Sequence, residues 1–187
     1  MPLYIPQQVC DTVGKDPAAT PPDACMDLVE ADLREDGVSA PNAAGGQANA
    51  GLAQVVADAK QKGIDLKIVV LAQNPPIDTP LRDVATEVGQ AYPGFTVLVL
   101  SPSFAGTYSP TVDRVTLEAG QDIARVSGNP VTASQNFVTE LATPHFPWTP
   151  FTIVLVLGVA VAAVATRILQ VRARRAGAPE TPAAVAN

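Results

Sequence analysis

Residues 66–100 read LKIVVLAQNPPIDTPLRDVATEVGQAYPGFTVLVL, and the reading of this stretch decides the fold. Its two ends, Leu66 to Ala72 and Phe95 to Leu100, are nearly unbroken runs of β-branched and aliphatic residues. Such runs suit central strands covered on both faces. Between them NPPIDTP makes a turn, Asp78 or Thr79 can cap a helix, and Pro80 fits a first helical turn, where no amide donor is needed. That helix is expected from about Leu81 to Tyr92, with Leu81, Val84, Ala85 and Val88 inward, and Pro93-Gly94 breaks it. Strand, helix and strand of these lengths form a βαβ unit, which implies a parallel pair and a right-handed crossover.

Upstream, residues 1–22 are rich in Pro, Ala and Asp and read as irregular. Asp23 is placed to cap a helix from about Ala24 to Glu35 with Met26, Val29 and Leu33 on one face, and Gly37 ends it. SAPNAAGG, Ser39 to Gly46, reads as a flexible connection. A second helix comes next, from about Gln47 to Lys62, burying Leu52, Val55, Val56 and Ala59, with Gly63 as its stop. Downstream, SPSFAGTYSP reads as a loop in which Phe104 and Tyr108 are placed to anchor protein contacts or to fold back on the loop. Asp113 to Glu118 alternates polar and apolar residues, the pattern of a half-exposed edge strand. Asn129-Pro130 leads into a last helix, about Val131 to Ala142, with Phe137, Val138 and Leu141 apolar. The domain is therefore expected over residues 23–142, and the proline-rich segment 143–149 connects it to the C-terminal part of the chain.

That C-terminal part opens with an apolar run. From Thr149 to Thr166 the chain runs eighteen residues without a charge and then meets Arg167, Arg172, Arg174 and Arg175. The 22 residues from Trp148 to Leu169 would rise about 33 Å as a helix, against a hydrocarbon core of roughly 30 Å. We expect a transmembrane helix over residues 150–169 and a basic, disordered cytoplasmic tail over 170–187. Phe146, Trp148 and Phe151 flank one interface, and the arginines, Arg167 by snorkelling, meet the other. Gly158 and Ala162 are four apart, a spacing that permits close helix packing and that arises easily in an alanine-rich span.

Charge is divided along the same line. Residues 1–140 hold 17 Asp plus Glu against 8 Lys plus Arg, whereas residues 141–187 hold 1 against 4. The acidic domain would repel phosphate backbones, so nucleic acid is not an expected partner. The lipid bilayer is one, together with envelope or membrane proteins. Arginines at the far end of the span favour a cytoplasmic C-terminus and an extracytoplasmic domain. The N-terminal residues lack the basic start and apolar stretch of a secretion signal, so the domain would either cross as a long N-terminal tail or stay in the cytoplasm of a tail-anchored protein, and the arginine bias favours the first. Cys10 and Cys25, fifteen apart, can close one disulfide in an oxidising compartment or remain two half-buried thiols.

The pieces IDLKIVVLAQ, LRDVATEVGQAY, TVLVLSP and RVTLEAGQD, with Gly120 and Asp122, resemble the TPM domain family over about sixty residues. The resemblance implies a three-layer α/β/α sandwich held to a membrane by one flanking helix, with one C-terminal transmembrane helix here. It also implies either phosphatase or metal-binding activity or a scaffolding role. NPPIDTPLRDVATEVG, SPSFAGTYSP, RVTLEAG and FPWT are moreover similar to a group of small actinobacterial single-span proteins, whose genes, by that resemblance, lie near those of secreted peptidoglycan hydrolases.

Ligands of open parallel sheets collect outside the carboxyl ends of the strands. Asn74, Asp78, Ser101 and Ser103 belong to those ends, and Glu118 and Asp122 add carboxylates if the third strand ends beside them. Oxygen donors of this kind suit calcium or magnesium. The plainer alternative gives Asp78 to helix capping, Asn74 and the prolines to a rigid turn, and the serines to loop hydrogen bonds. Arg82 can reach a ligand there or pair with Glu87 or Asp78. No G-x-S-x-G, P-loop or G-x-G-x-x-G is present, and His145 sits in the connector. Two functions remain: a membrane-anchored, non-catalytic interaction or scaffolding module of the cell envelope, and a divalent-metal-dependent phosphatase-like enzyme using the strand-end cluster.

Overall fold

The computed structural model describes residues 3–41, 47–144 and 148–176. They fall into two compact units that divide between Pro144 and His145. The first contains a short helix α1 (Val9–Thr12), helix α2 (Pro22–Glu35), strand β1 (Val38–Ser39), helix α3 (Gln47–Gln61), strand β2 (Leu66–Val70), helix α4 (Thr79–Ala91), strands β3 (Thr96–Leu100) and β4 (Ala105–Tyr108), and helices α5 (Arg114–Arg125) and α6 (Pro130–Ala142). The second contains the long helix α7 (Trp148–Ala176).

The four strands form one sheet in the order β1-β2-β3-β4. The expected β2-α4-β3 unit is present, and β2 and β3 pair in parallel with Leu66 opposite Thr96 and Val70 opposite Leu100. Because successive strand residues face opposite ways, the two apolar runs feed two separate cores. Leu66, Ile68, Leu98 and Leu100 join Leu52, Val55 and Phe137 from α3 and α6. Val69, Val97 and Val99 join Val29 and Leu33 of α2 and Leu81, Val84 and Val88 of α4. Helices α3 and α4 thus lie against opposite faces while β1, β2 and β3 step the same way across the sheet. The two crossovers are therefore of opposite hand.

Three local expectations are corrected. The segment from Asp113 is not an edge strand but the start of α5, so Glu118 and Asp122 lie on a helix. Asp113 caps it: the carboxylate accepts from the Thr116 amide at 3.1 Å and from its hydroxyl at 2.7 Å. Two alternating apolar residues fit either period, but the buried set Thr116, Leu117, Gly120 and Ala124 follows the helical one. The edge strand lies instead in SPSFAGTYSP, where β4 pairs antiparallel with β3 and aligns Leu100 with Ala105. It approaches α4 so closely that a Cβ on Gly106 would stand 2.4 Å from the Leu81 carbonyl carbon. Ser39 belongs not to a flexible connection but to β1, parallel to β2, and Gly37 before it adopts φ 82°.

The N-terminal residues read as irregular include α1, which is tied to the sheet through Thr12, whose hydroxyl donates to the Val70 carbonyl at 3.0 Å. Helix α2 starts at Pro22 rather than behind an Asp23 cap, and Pro21 stands at the N-cap. Met26, Val29 and Leu33 are buried as the periodicity requires. Asn129 caps α6, its side chain accepting from the amides of Val131 and Thr132.

Candidate functional site

At the carboxyl ends of β2 and β3 the structure ties two loops together with one side chain. Asn74 Oδ1 accepts from the Ser101 hydroxyl at 2.8 Å and from the Ser103 amide at 2.9 Å. Asn74, Ser101 and Ser103 therefore converge as the sequence suggests, but they bond to one another. Asp78 stands at the N-cap of α4, exposed, with no side-chain capping bond. Glu118 accepts from Arg114 at 2.7 Å one turn away, and Asp122 lies 3.9 Å from Arg125. Both carboxylates are thus engaged on α5 itself, and no group of three or more His, Cys, Asp or Glu side chains suited to a metal ion occurs among the described residues.

Beside the Asn74 clamp lies a cavity of about 140 Å³, walled by Leu100, Ser101, Arg125, Asn129 and Ala133. Its walls are mostly apolar, and the Asn129 oxygen that faces the start of α6 already serves two amides there. A second, more polar crevice of about 250 Å³ runs between α4, β4 and α5 and is lined by Arg82, Thr107, Tyr108, Arg114 and Glu118. Among the described residues Arg82 joins neither Glu87 nor Asp78 in an ion pair; it is exposed at the edge of this crevice. The Thr107 hydroxyl is held by Gln121 at 2.8 Å. Phe104 and Tyr108 fold back: both are half-buried and pack against the core that contains α4.

Two titratable groups are displaced from their ordinary values. Lys67, set inside the apolar run of β2, is 8% exposed, and burial lowers its pKa while Asp36 pulls it partway back. Its ammonium donates to the Leu33 carbonyl and sits 4.7 Å and 4.8 Å from the ring centres of Tyr92 and Phe95. Glu30 on α2 is raised, first by burial and then by the negative charges of Glu87 and Asp27. Sequence reading passed over both. The signal for Lys67 was a lone cation inside an aliphatic strand, which requires a carbonyl or a ring to receive it.

Cys10 and Cys25 are bonded, joining α1 to α2, and both are fully buried. In the second unit, Pro150–Arg175 is the one stretch among the described residues that is long and apolar enough to cross a membrane. Phe151, Arg167, Arg172, Arg174 and Arg175 project from α7 and are exposed. Helix α7 begins at Trp148, so the last residues assigned to the connector are helical. Residues 170–176, assigned to a disordered tail over 170–187, are instead the last turns of α7, because the helical backbone continues past the apolar run. His145, Phe146, the Trp148 side chain and the rest of that tail, residues 177–187, lie outside the described residues.

A family model described as Membrane protein Rv1476 matches residues 19–180, which takes in the domain and the span alike. The chain belongs to the Rv1476 membrane protein family. It is 53% identical over 172 residues to "Membrane protein Rv1476" of Mycobacterium tuberculosis (strain ATCC 25618 / H37Rv), an alignment covering 92% of this chain and 88% of that actinobacterial protein. No solved structure matches it. Membership joins the two units in one description: a mixed α/β domain in a membrane protein with one candidate transmembrane helix near its C-terminus.

Proposed function

We propose that this family member is a single-pass, membrane-anchored interaction module of the cell envelope, with its domain extracytoplasmic and its arginine-bearing end in the cytoplasm. The observation that carries this reading is the Cys10–Cys25 bond, which a reducing cytoplasm would not maintain. The charge order agrees, because the four arginines come after the apolar run and the acidic domain precedes it. Helices on both faces of the sheet agree with a three-layer α/β/α sandwich of the TPM kind, anchored by its flanking helix. The non-catalytic character rests on how the polar groups are used. Asn74, Ser101 and Ser103 hold two loops together, and Glu118 and Asp122 face arginines one turn away.

The test is topological. A reporter active only outside the cytoplasm is fused to Pro2 and, separately, to Asn187. Activity at Pro2 alone is the expected result, and activity at Asn187 alone would reverse the orientation. Alkylating the thiols of protein taken directly from membranes gives an independent reading. In denaturant, which exposes the two buried positions, Cys10 and Cys25 should label only after reduction.

A further inference from the structure

Tyr4 and Ile77 are distant in sequence, yet both line one groove of about 330 Å³ together with Pro76, Thr79, Pro80 and Asp83. Both remain well exposed, Tyr4 at 63% and Ile77 at 59%. The groove is held in shape from three sides. The Tyr4 amide donates to an Asp83 carboxylate oxygen at 3.0 Å, the Asn74 clamp fixes the loop that carries Ile77, and Pro75, Pro76 and Pro80 stiffen it. A rigid apolar groove loses little entropy when it is filled, and a tyrosine beside an aliphatic side chain is the composition of an interface anchor.

The groove borders an acidic field that the domain does not neutralise. Residues 1–36 hold eight acidic side chains against Lys15 and Arg34. On α4, Asp83 and Glu87 are one turn apart, and on α2 Asp27 and Glu30 are likewise neighbours. None of the four forms an ion pair among the described residues. Glu30 is raised first by burial and then by Glu87 and Asp27, and Arg34 only partly restores it. A second copy of this domain would bring the same negative charge, and anionic lipid would be repelled.

We propose that the Tyr4–Ile77 groove docks a protein segment bearing one aromatic or aliphatic side chain flanked by lysines or arginines. The apolar side chain seats between Tyr4 and Ile77, and its cationic neighbours meet Asp83 and the acidic row on α2 and α4. This rests on the interaction-module reading and gives that module a surface and a partner chemistry.

The full chain in nanodiscs of zwitterionic lipid is titrated with a fluorescent probe peptide, acetyl-Lys-Arg-Phe-Arg-Lys-amide. Control peptides replace Phe by Ala or the cations by glutamates. Binding of the first peptide alone is expected, weakened about tenfold or more by Ile77→Ser or Tyr4→Ser and by raised salt, and unchanged by Val126→Ser. No binding, equal binding of the acidic control, or insensitivity to both groove substitutions would overturn the proposal. Circular dichroism of each variant guards against misfolding. A photo-cross-linking residue placed at position 77 or 126 in cells then separates the two readings. Cross-links at 126 with none at 77 would remove the groove and leave an interaction module, whereas none at either position would sink both.

Discussion

The two sides of the sheet draw on the same strands, yet they are stabilised by different means. On one side α3, α5 and α6 close over a largely apolar core that includes Phe137, with glycine allowing helices to touch: a Cβ on Gly120 would lie 2.7 Å from Leu141 and 2.9 Å from Phe137. On the other, α4 is joined by α2 and a four-residue α1, and the chain adds a disulfide, a buried lysine and most of its acidic residues. A four-residue helix buries too little surface to hold itself in place, so the covalent link stands in for area. The first side is stabilised by packing and by neutral hydrogen bonds such as that from Thr107 to Gln121. The second is held by packing plus devices sensitive to redox state and pH.

That contrast can be broken most severely at Phe137. Phe137→Ala should cost about 3–5 kcal/mol, through lost burial and the cavity left behind. Urea unfolding of the full chain in nonionic detergent measures it, and a loss below about 1 kcal/mol would mean that the α6 side collapses to refill the space. Next in size is the paired substitution Cys10→Ser with Cys25→Ser. A loop of this length predicts a loss of about 3 kcal/mol. Hydrogen exchange should then rise across residues 9–36 and stay unchanged across 114–142; equal rises on both sides would dissolve the comparison. Gly106→Ala should cost about 1–3 kcal/mol or more, because the new methyl meets α4 backbone rather than a side chain that can swing away.

The smaller effects are read in pH, and both arise on the acidic side. Lys67 is lowered by burial, so its folded form releases its proton before the unfolded chain does. Between those two values the unfolded state binds more protons, and this group's contribution to stability rises with pH. Lys67→Met should remove that alkaline rise, and an unchanged slope would show that the ammonium is solvated. Glu30 is raised, so its protonated form favours folding and that contribution is lost as pH rises through the folded value. Glu30→Gln should therefore be more stable than the parent near neutrality, with the advantage vanishing below about pH 4.

How much of this was legible in the sequence depends on where each element finds its partners. Strands β2 and β3 are buried on both faces, so their own composition announces them, and the inward residues of α2, α3, α4 and α6 can be read from spacing. Strand β4 was hidden because it is short and reads Ala-Gly-Thr-Tyr. It is a strand because β3 offers a free edge and Gly106 lets α4 come close. In α5 the first residues alternate by accident, and the Asp113 cap together with contact on α6 decides for helix. The strand-end residues Asn74, Ser101 and Ser103 were correctly brought together. Glu118 and Asp122 were misplaced with the strand that carried them.

By itself the sequence determined the parallel βαβ unit, the apolar span and the arginines beyond it, since each depends on hydrophobicity and charge along a continuous segment. Tertiary structure alone decided that Cys10 meets Cys25, that Lys67 lies between two rings, and that Tyr4 and Ile77 line one groove. Those outcomes depend on distances between segments far apart in the chain, and such distances are fixed only when both faces of the sheet are covered.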